Sequence, residues 1–168
     1  MVRTMTTLYV DGDACPVREE VFRVATRRDL PVVVVSNGAR AARPSGLPNV
    51  RDVLVAEGAD AADDWIVEHI ARGDVCITAD IPLAARCLER SARALSPRGR
   101  PWTTDNIGGA LAGREIAQSR RDAGLMAGGP SPLTREDRSR FLAALDAAVE
   151  AARRDLLAPP SRPWVSFE

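Results

Sequence analysis

The chain contains no lysine: all 23 of its basic residues are arginine, set against 23 acidic residues, so the formal net charge at neutral pH is zero. That absence excludes a P-loop lysine, a Schiff-base lysine and a lysine general base. Histidine is almost as scarce. His69 stands alone, which excludes a His-rich zinc site and a two-imidazole acid–base cleavage of RNA. The three cysteines, Cys15, Cys76 and Cys87, are odd in number and lack metal-type CxxC spacing, which argues against a disulfide framework or a structural zinc. No run approaches the roughly 20 apolar residues of a membrane span. Met1-Val2-Arg3-Thr4-Met5 leads into a short strand without the apolar stretch of a signal peptide. A soluble cytoplasmic protein with no membrane partner is expected. Chemistry, if there is any, is left to carboxylates, arginine, hydroxyls and thiols.

At 168 residues the chain has one domain's worth of length. Its neutrality hides a segregation. Residues 51–80 carry eight acids against Arg51 and Arg72, a net −6, whereas residues 81–140 carry eleven arginines against six acids, a net +5. Such a division suits an acidic metal cluster beside a phosphate-binding surface, and it equally suits solvated helix faces.

Short apolar runs alternate with helical periodicities through the first hundred residues. Strands are expected at Thr7-Leu8-Tyr9-Val10, Val32-Val33-Val34-Val35, Val53-Leu54-Val55 and Val75-Cys76-Ile77-Thr78. Helices are expected from Pro16 to about Arg28, from Asp60 to Arg72, and from Pro82 to near Leu95. Strands this apolar have no wet face, so the fold class is α/β: a Rossmann-like three-layer α/β/α sandwich with a mostly parallel central sheet. Ser96 to Pro101 reads as a basic turn, Thr104 to Arg121 as a helix, and Thr134-Arg135-Glu136-Asp137 as a capping box opening a final amphipathic helix. Residues 1–157 are read as one domain. The Pro-rich tail over 158–168 is expected to be mobile.

Acids gather at three places in this layout. Asp11 and Asp13 lie two apart at the end of the first strand, so in extended backbone their carboxylates share a side. Asp60, Asp63 and Asp64 are spaced i, i+3, i+4 at a helix start. Asp80 ends the fourth strand, with Thr78 on the same side. Carboxylates converging above a parallel sheet repel one another unless a divalent cation joins them, and Mg²⁺ or Mn²⁺ favours such oxygen ligands. Each group also has a structural role open to it. Asp60 and Asp80 precede helices and suit N-capping, while Asp63 and Asp64 suit the first turn against the helix dipole. Asp11 and Asp13 fit such roles less well, because carboxylates at the end of a buried strand need partners.

Five stretches carry a resemblance. Val10-Asp11-Gly12-Asp13-Ala14-Cys15-Pro16-Val17, Asp60-Ala61-Ala62-Asp63-Asp64-Trp65-Ile66, Gly73 through Ala84, Pro97-Arg98-Gly99 and Gly129-Pro130 resemble, in order, the motifs of the YaiI/YqxD family of bacterial proteins, over roughly residues 6 to 150. That family in turn resembles the PIN-like nuclease superfamily, whose clustered acids bind Mg²⁺ or Mn²⁺ and hydrolyse phosphodiesters. The resemblance implies Asp11, Asp13 and Asp80 as metal ligands and catalytic residues, with Asp60 or Asp63 completing the cluster and Asp64 a weaker candidate. It implies RNA or single-stranded nucleic acid as substrate. One departure is Gly12, where the family usually has Ala; it leaves both carboxylates in place and is expected to change only the backbone's freedom.

Other residues follow from the chemistry. Arg98 and Arg100 suit a flanking phosphate, since a guanidinium grips phosphate through a planar fork; the alternative is a salt-bridged turn. Thr78 and Asn37, on neighbouring strand ends, are candidates either to hold the acids in place or to contact substrate. Asp105 is expected to cap the helix that follows it. Cys15 precedes a helix, where a thiolate is favoured, but its alternative as a small buried side chain is preferred. Cys76 and Cys87 are expected in the core, and His69 as a satisfied surface side chain. Two competing functions stand beside the nuclease: a non-catalytic metal-, RNA- or protein-binding domain, and a haloacid-dehalogenase-like phosphatase suggested by strand-Asp-x-Asp. The missing lysine counts against the phosphatase.

Overall fold

The computed structural model describes residues 4–13, 15–38, 44–56, 58, 60–122 and 132–158, with the side chains of 114–122 excepted. Six strands form one sheet: β1 (Leu8–Asp11), β2 (Val32–Asn37), β3 (Val50–Val55), β4 (Val75–Ile77), β5 (Arg93–Leu95) and β6 (Pro101–Trp102). Five helices accompany them: α1 (Arg18–Arg28), α2 (Ala61–His69), α3 (Ile81–Glu89), α4 (Thr104–Asp122) and α5 (Arg135–Leu157). The strand order is β3-β2-β1-β4-β5-β6, with every pairing parallel except that of β5 with β6.

Alternation along each strand feeds two separate cores. Leu8, Val10, Val32, Val34, Val75 and Ile77 pack with Val21 and Val24 of α1 and with Phe141, Leu145 and Val149 of α5. Tyr9, Val33, Val35 and Cys76 point the other way, onto Ala62 and Ile66 of α2 and Leu83 and Cys87 of α3. The result is the expected three-layer α/β/α arrangement, because strands buried on both faces need a helical layer on each. Asp11 follows Tyr9 by two residues and so belongs to the α2/α3 side of the sheet. Arginine ties these elements: Arg27 and Arg28 of α1 hold Asp146 of the neighbouring α5 at 2.6 and 2.9 Å, and Arg93 of β5 links sheet to helix by gripping Asp155 through both arms of its guanidinium at 2.7 and 3.1 Å.

Several boundaries depart from the expectations. The helix expected to run from Pro82 to near Leu95 stops at Glu89, and Arg93–Leu95 is a strand. Ser91 takes a left-handed backbone (φ 65°), which ends the helix, and the open edge of β4 then captures Arg93-Ala94-Leu95 in parallel pairing. The basic turn is accordingly the loop of a hairpin, returning through Gly99 (φ 86°) to the short strand β6. A Cβ at Gly99 would stand 3.0 Å from the Arg140 carbonyl oxygen, so glycine is also what lets this loop lie against α5. β3 starts at Val50, three residues before the expected strand, because Arg51 and Asp52 occupy a sheet edge where charge is tolerated. α2 is shorter than expected at both ends. The capping box at Thr134 is present in both directions, Thr134 Oγ1 accepting from the Asp137 N–H and Asp137 accepting from the Thr134 N–H, each at 3.0 Å. The Gly129-Pro130 motif and the tail beyond Ala158 lie outside the described residues. Among the described residues, no helix is long and apolar enough to cross a membrane.

Candidate functional site

The sheet reverses its winding direction between β1 and β4. From β1 the chain runs outward through β2 to β3, then returns to place β4 on the other side of β1. In an open parallel sheet the crevice beyond the carboxyl ends of two such strands is where ligands bind. Asp11 ends β1, and Thr78 and Asp80 follow β4.

Thr78 is the hub of this crevice. Fully buried, its Oγ1 donates to Asp11 Oδ2 at 3.1 Å and accepts from the Asp80 N–H at 2.9 Å. Asp80 in turn caps α3, accepting from the Leu83 N–H at 3.0 Å, so the capping role open to it from sequence is real. Asp13 is exposed and accepts from the Asn37 N–H at 3.1 and 3.2 Å through its two oxygens, while Asn37 Nδ2 donates to the Gly58 carbonyl at 3.1 Å. Asn37 thus ties the ends of β1 and β2 to the loop that enters α2. Thr78 and Asn37 both position acids here.

The electrostatics single out Asp11 and Asp63. Asp11 is 5% exposed. Burial pushes its carboxyl above the ordinary range; the Thr78 hydroxyl and the Asp13 N–H oppose this, and the nearby charges of Asp13 and Asp80 add to it. Asp63 is pushed up to about 6, first by burial and then by Asp80, Asp11 and Asp60, with Arg86 of α3 pulling the other way. Asp60 makes no side-chain capping bond, so the N-cap role does not account for it. Asp64 pairs with Arg86 at 2.9 Å on the exposed rim. Asp11 and Asp63 therefore feel the charges of the acids around them.

Their donor chemistry, hard oxygens with little cationic compensation, fits Mg²⁺ or Mn²⁺ in kind. Among the described residues, however, no three His, Cys, Asp or Glu side chains converge into a ready-made ion cage. Asp11, Asp13 and Asp80 are instead committed to Thr78, Asn37 and the start of α3.

Beside the acids opens a cleft of about 840 Å³, walled by Asp13, Arg18, Arg98, Arg100, Trp102 and Arg138 among others. Arg98 pairs with Asp137 at 2.9 Å, the salt-bridged alternative weighed for it, and Arg138 with Glu20 at 3.0 Å. Arg100 is exposed, and its guanidinium lies over the Trp102 ring, 5.0 Å from the centroid. Cys15 also lines the cleft. Burial pushes its thiol up to about 12, so it stands there as a neutral thiol with no activated nucleophile's character.

A family model described as "Uncharacterized BCR, YaiI/YqxD family" matches residues 9–151. The chain belongs to the YaiI/YqxD family. Three curated relatives carry the name UPF0178 protein: one from Rhodospirillum rubrum is 52% identical over 147 residues, covering 88% of this chain and 97% of the relative. One from Paramagnetospirillum magneticum is 52% identical over 150 residues, covering 89% and 98%. One from Ruegeria pomeroyi is 53% identical over 153 residues, covering 90% and 98%. The YaiI/YqxD match takes in the acids at the crevice and the arginines of the cleft.

Gly12 is more than a matter of backbone freedom. A Cβ there would stand 2.2 Å from Ser36 Oγ, 2.9 Å from Val34 Cγ1 and 3.0 Å from the Val35 carbonyl oxygen. The expectation that Gly12 changes only flexibility is therefore corrected: in this chain glycine lets β1 leave the sheet in close contact with β2. Asp105 is likewise corrected. It is exposed, and α4 is capped by the reciprocal pair Thr103 and Asn106, whose side chains each accept from the other's backbone N–H at 3.2 and 2.9 Å. His69 is satisfied as expected, its Nδ1 bonded to the Trp65 carbonyl at 2.7 Å and its ring stacked on the Trp65 indole. Cys76 and Cys87 are in the core.

Sequence reasoning missed Arg18, Arg86, Trp102 and Arg138. Arg18 had a signal, since it opens the helix directly after the Asp-Gly-Asp turn. Trp102 and Arg138 had none, because the first depends on the unexpected β5–β6 hairpin and the second on how α5 returns across the sheet.

Proposed function

We propose that the protein is a divalent-metal-dependent nuclease that hydrolyses phosphodiester bonds of RNA or single-stranded nucleic acid at the β1/β4 crevice. The observation that carries this reading is the placement of Asp11, Asp13 and Asp80 at the carboxyl ends of β1 and β4, the fold's switch point, with Asp63 of α2 near enough to feel their charge, beside an arginine-lined cleft. Asp11, Asp13 and Asp80, with Asp63 or Asp60, would hold the ion. Bound Mg²⁺ or Mn²⁺ supplies neutralisation of the scissile phosphate and an acidified water.

The chain's own groups have distinct tasks in this scheme. Thr78 holds Asp11 through its hydroxyl, and Asn37 holds Asp13 through its backbone N–H. Asp63, whose carboxyl is pushed up to about 6 by burial and by Asp80, Asp11 and Asp60, is the acid whose ionised form gains most from a cation joining the cluster. Arg100, exposed on the cleft wall, meets the phosphate backbone, while Arg98 is held back by Asp137.

The absence of a preassembled three-ligand cage among the described residues favours one second reading, a non-catalytic domain that binds nucleic acid through the cleft. Incubation of a labelled single-stranded RNA with Mn²⁺ separates the two. Cleavage by the native protein that disappears when Asp11, Asp13 and Asp80 are replaced together by Asn supports the nuclease. RNA binding with no cleavage supports the second reading, and cleavage that survives the triple replacement refutes the acidic site.

A further inference from the structure

We infer that the arginine-lined cleft is a nucleotide subsite in which an unpaired purine base stacks on the Arg100–Trp102 pair and its phosphate is held by Arg100 and Arg18. The inference rests on the nucleic-acid reading of the neighbouring crevice, but its observations are its own.

Size is the first. At about 840 Å³ the cleft falls within the roughly 300–1,000 Å³ of sites that enclose one small ligand, the size class of a mononucleotide. Charge is the second. Four arginines and one carboxylate, Asp13, wall the cleft. Two of those arginines are spent on ion pairs, Arg98 on Asp137 and Arg138 on Glu20, whereas Arg18 and Arg100 have no carboxylate partner among the described residues. Arg18 is half-buried, and its Nε finds no acceptor among the described residues. An anion brought to this wall meets two guanidiniums that no carboxylate of the described residues neutralises.

Shape is the third. Trp102 is 9% exposed, so a base cannot lie directly on its ring. What the cleft offers is the guanidinium of Arg100, its Cζ over the indole and 5.0 Å from the ring centroid. A guanidinium backed by an aromatic ring is a flat cationic shelf, and unpaired bases stack on Arg planes as they do on aromatic rings. Ile81, Pro97 and Leu133 line the same cleft and give the base an apolar surround. A paired base keeps both faces covered and cannot use the shelf. The subsite therefore selects single-stranded or free nucleotides, with larger purine faces preferred.

The test is calorimetric titration of the whole protein in EDTA with AMP, adenosine, inorganic phosphate and a short oligoadenylate. AMP is expected to bind at least tenfold tighter than adenosine or phosphate. Arg100→Ala weakens AMP about tenfold or more, and Arg100→Lys, which keeps the charge and loses the plane, restores phosphate binding but not the preference for AMP. Oligoadenylate tighter than AMP assigns the subsite to a strand, and the reverse assigns it to a free nucleotide; either supports the inference. AMP binding no tighter than phosphate, no AMP binding at millimolar concentration, or equal AMP affinity in native and Arg100→Ala protein overturns it. Because these titrations contain no metal, AMP binding without RNA cleavage in Mn²⁺ sinks only the nuclease reading, whereas cleavage with Arg100-independent AMP binding sinks only the subsite.

Discussion

Replacing Asp63 by Asn should make the protein more stable at neutral pH and leave it little changed in acid. The Asp63 carboxyl is raised from an ordinary 3.8 to about 6 by burial and by the charges of Asp80, Asp11 and Asp60. Folding thus favours its protonated form. The stabilisation this represents is fully present below about pH 4 and is lost as pH rises through about 6. A displacement of about two pH units corresponds to a ceiling of about 3 kcal/mol. Asp63 keeps solvent contact, which brings the expected effect down to about 1–2 kcal/mol. For a domain of this size that is about 3–8 °C in melting temperature. Asn carries no charge at any pH. In EDTA, thermal unfolding should therefore place Asp63→Asn above the native protein at pH 7.5, with the gap narrowing as pH falls through about 6 and closing only below about pH 4. Asp11, raised for similar reasons, leaves a residual slope in the variant. The Arg-paired carboxylates Asp146 and Glu150 are held below their ordinary values, so their contributions fade only in stronger acid and do not enter this window. A gap that is constant across the range, or a variant less stable than native at pH 7.5, would refute the crowding of acids on which the site is built.

Three further outcomes follow from the same geometry. Thr78→Val removes both hydrogen bonds of a fully buried hydroxyl and should cost about 2–3 kcal/mol in denaturant unfolding, while Thr78→Ser, which keeps both, should cost much less; a Val variant within about 0.5 kcal/mol of native contradicts the hub role. Gly12→Ala should destabilise this chain by about 1–2 kcal/mol because its Cβ meets Ser36, Val34 and the Val35 carbonyl; pairing it with Ser36→Gly should recover part of the loss, and an unchanged single variant would show that β2 yields freely. Cys15, with its thiol pushed up to about 12, should be alkylated by iodoacetamide at pH 8 far more slowly in the folded protein than after unfolding, and equal rates would contradict its burial.

The parallel core of the fold was legible because its strands are continuous apolar runs, and Val32-Val33-Val34-Val35 has no other comfortable home than a sheet covered on both faces. β5 was not legible. Arg93-Ala94-Leu95 has the composition of a helix, and only the exposed edge of β4, combined with the left-handed Ser91, turns it into a strand. The site divides in the same way. Asp11, Asp13 and Asp80 could be placed because each sits at the end of a recognisable strand, and the link between Asp11 and Thr78 follows from their sharing one side of adjacent strands. Asp80 caps a helix while facing the crevice, so the structural and functional roles open to it were never exclusive. The cleft beyond was hidden because its walls come from α1, the β5–β6 hairpin and α5, far apart in sequence and joined only by packing.

On the proposed reading, the acids at the β1/β4 switch point together bind a divalent cation. Anomalous diffraction from crystals grown with Mn²⁺ should show a peak at coordinating distance from Asp11 together with Asp13 or Asp80, displaced when Asp11 is replaced by Asn. A well-ordered structure at saturating Mn²⁺ with no peak in the crevice, and with Thr78 and Asn37 still holding their carboxylates as they do without metal, would contradict it.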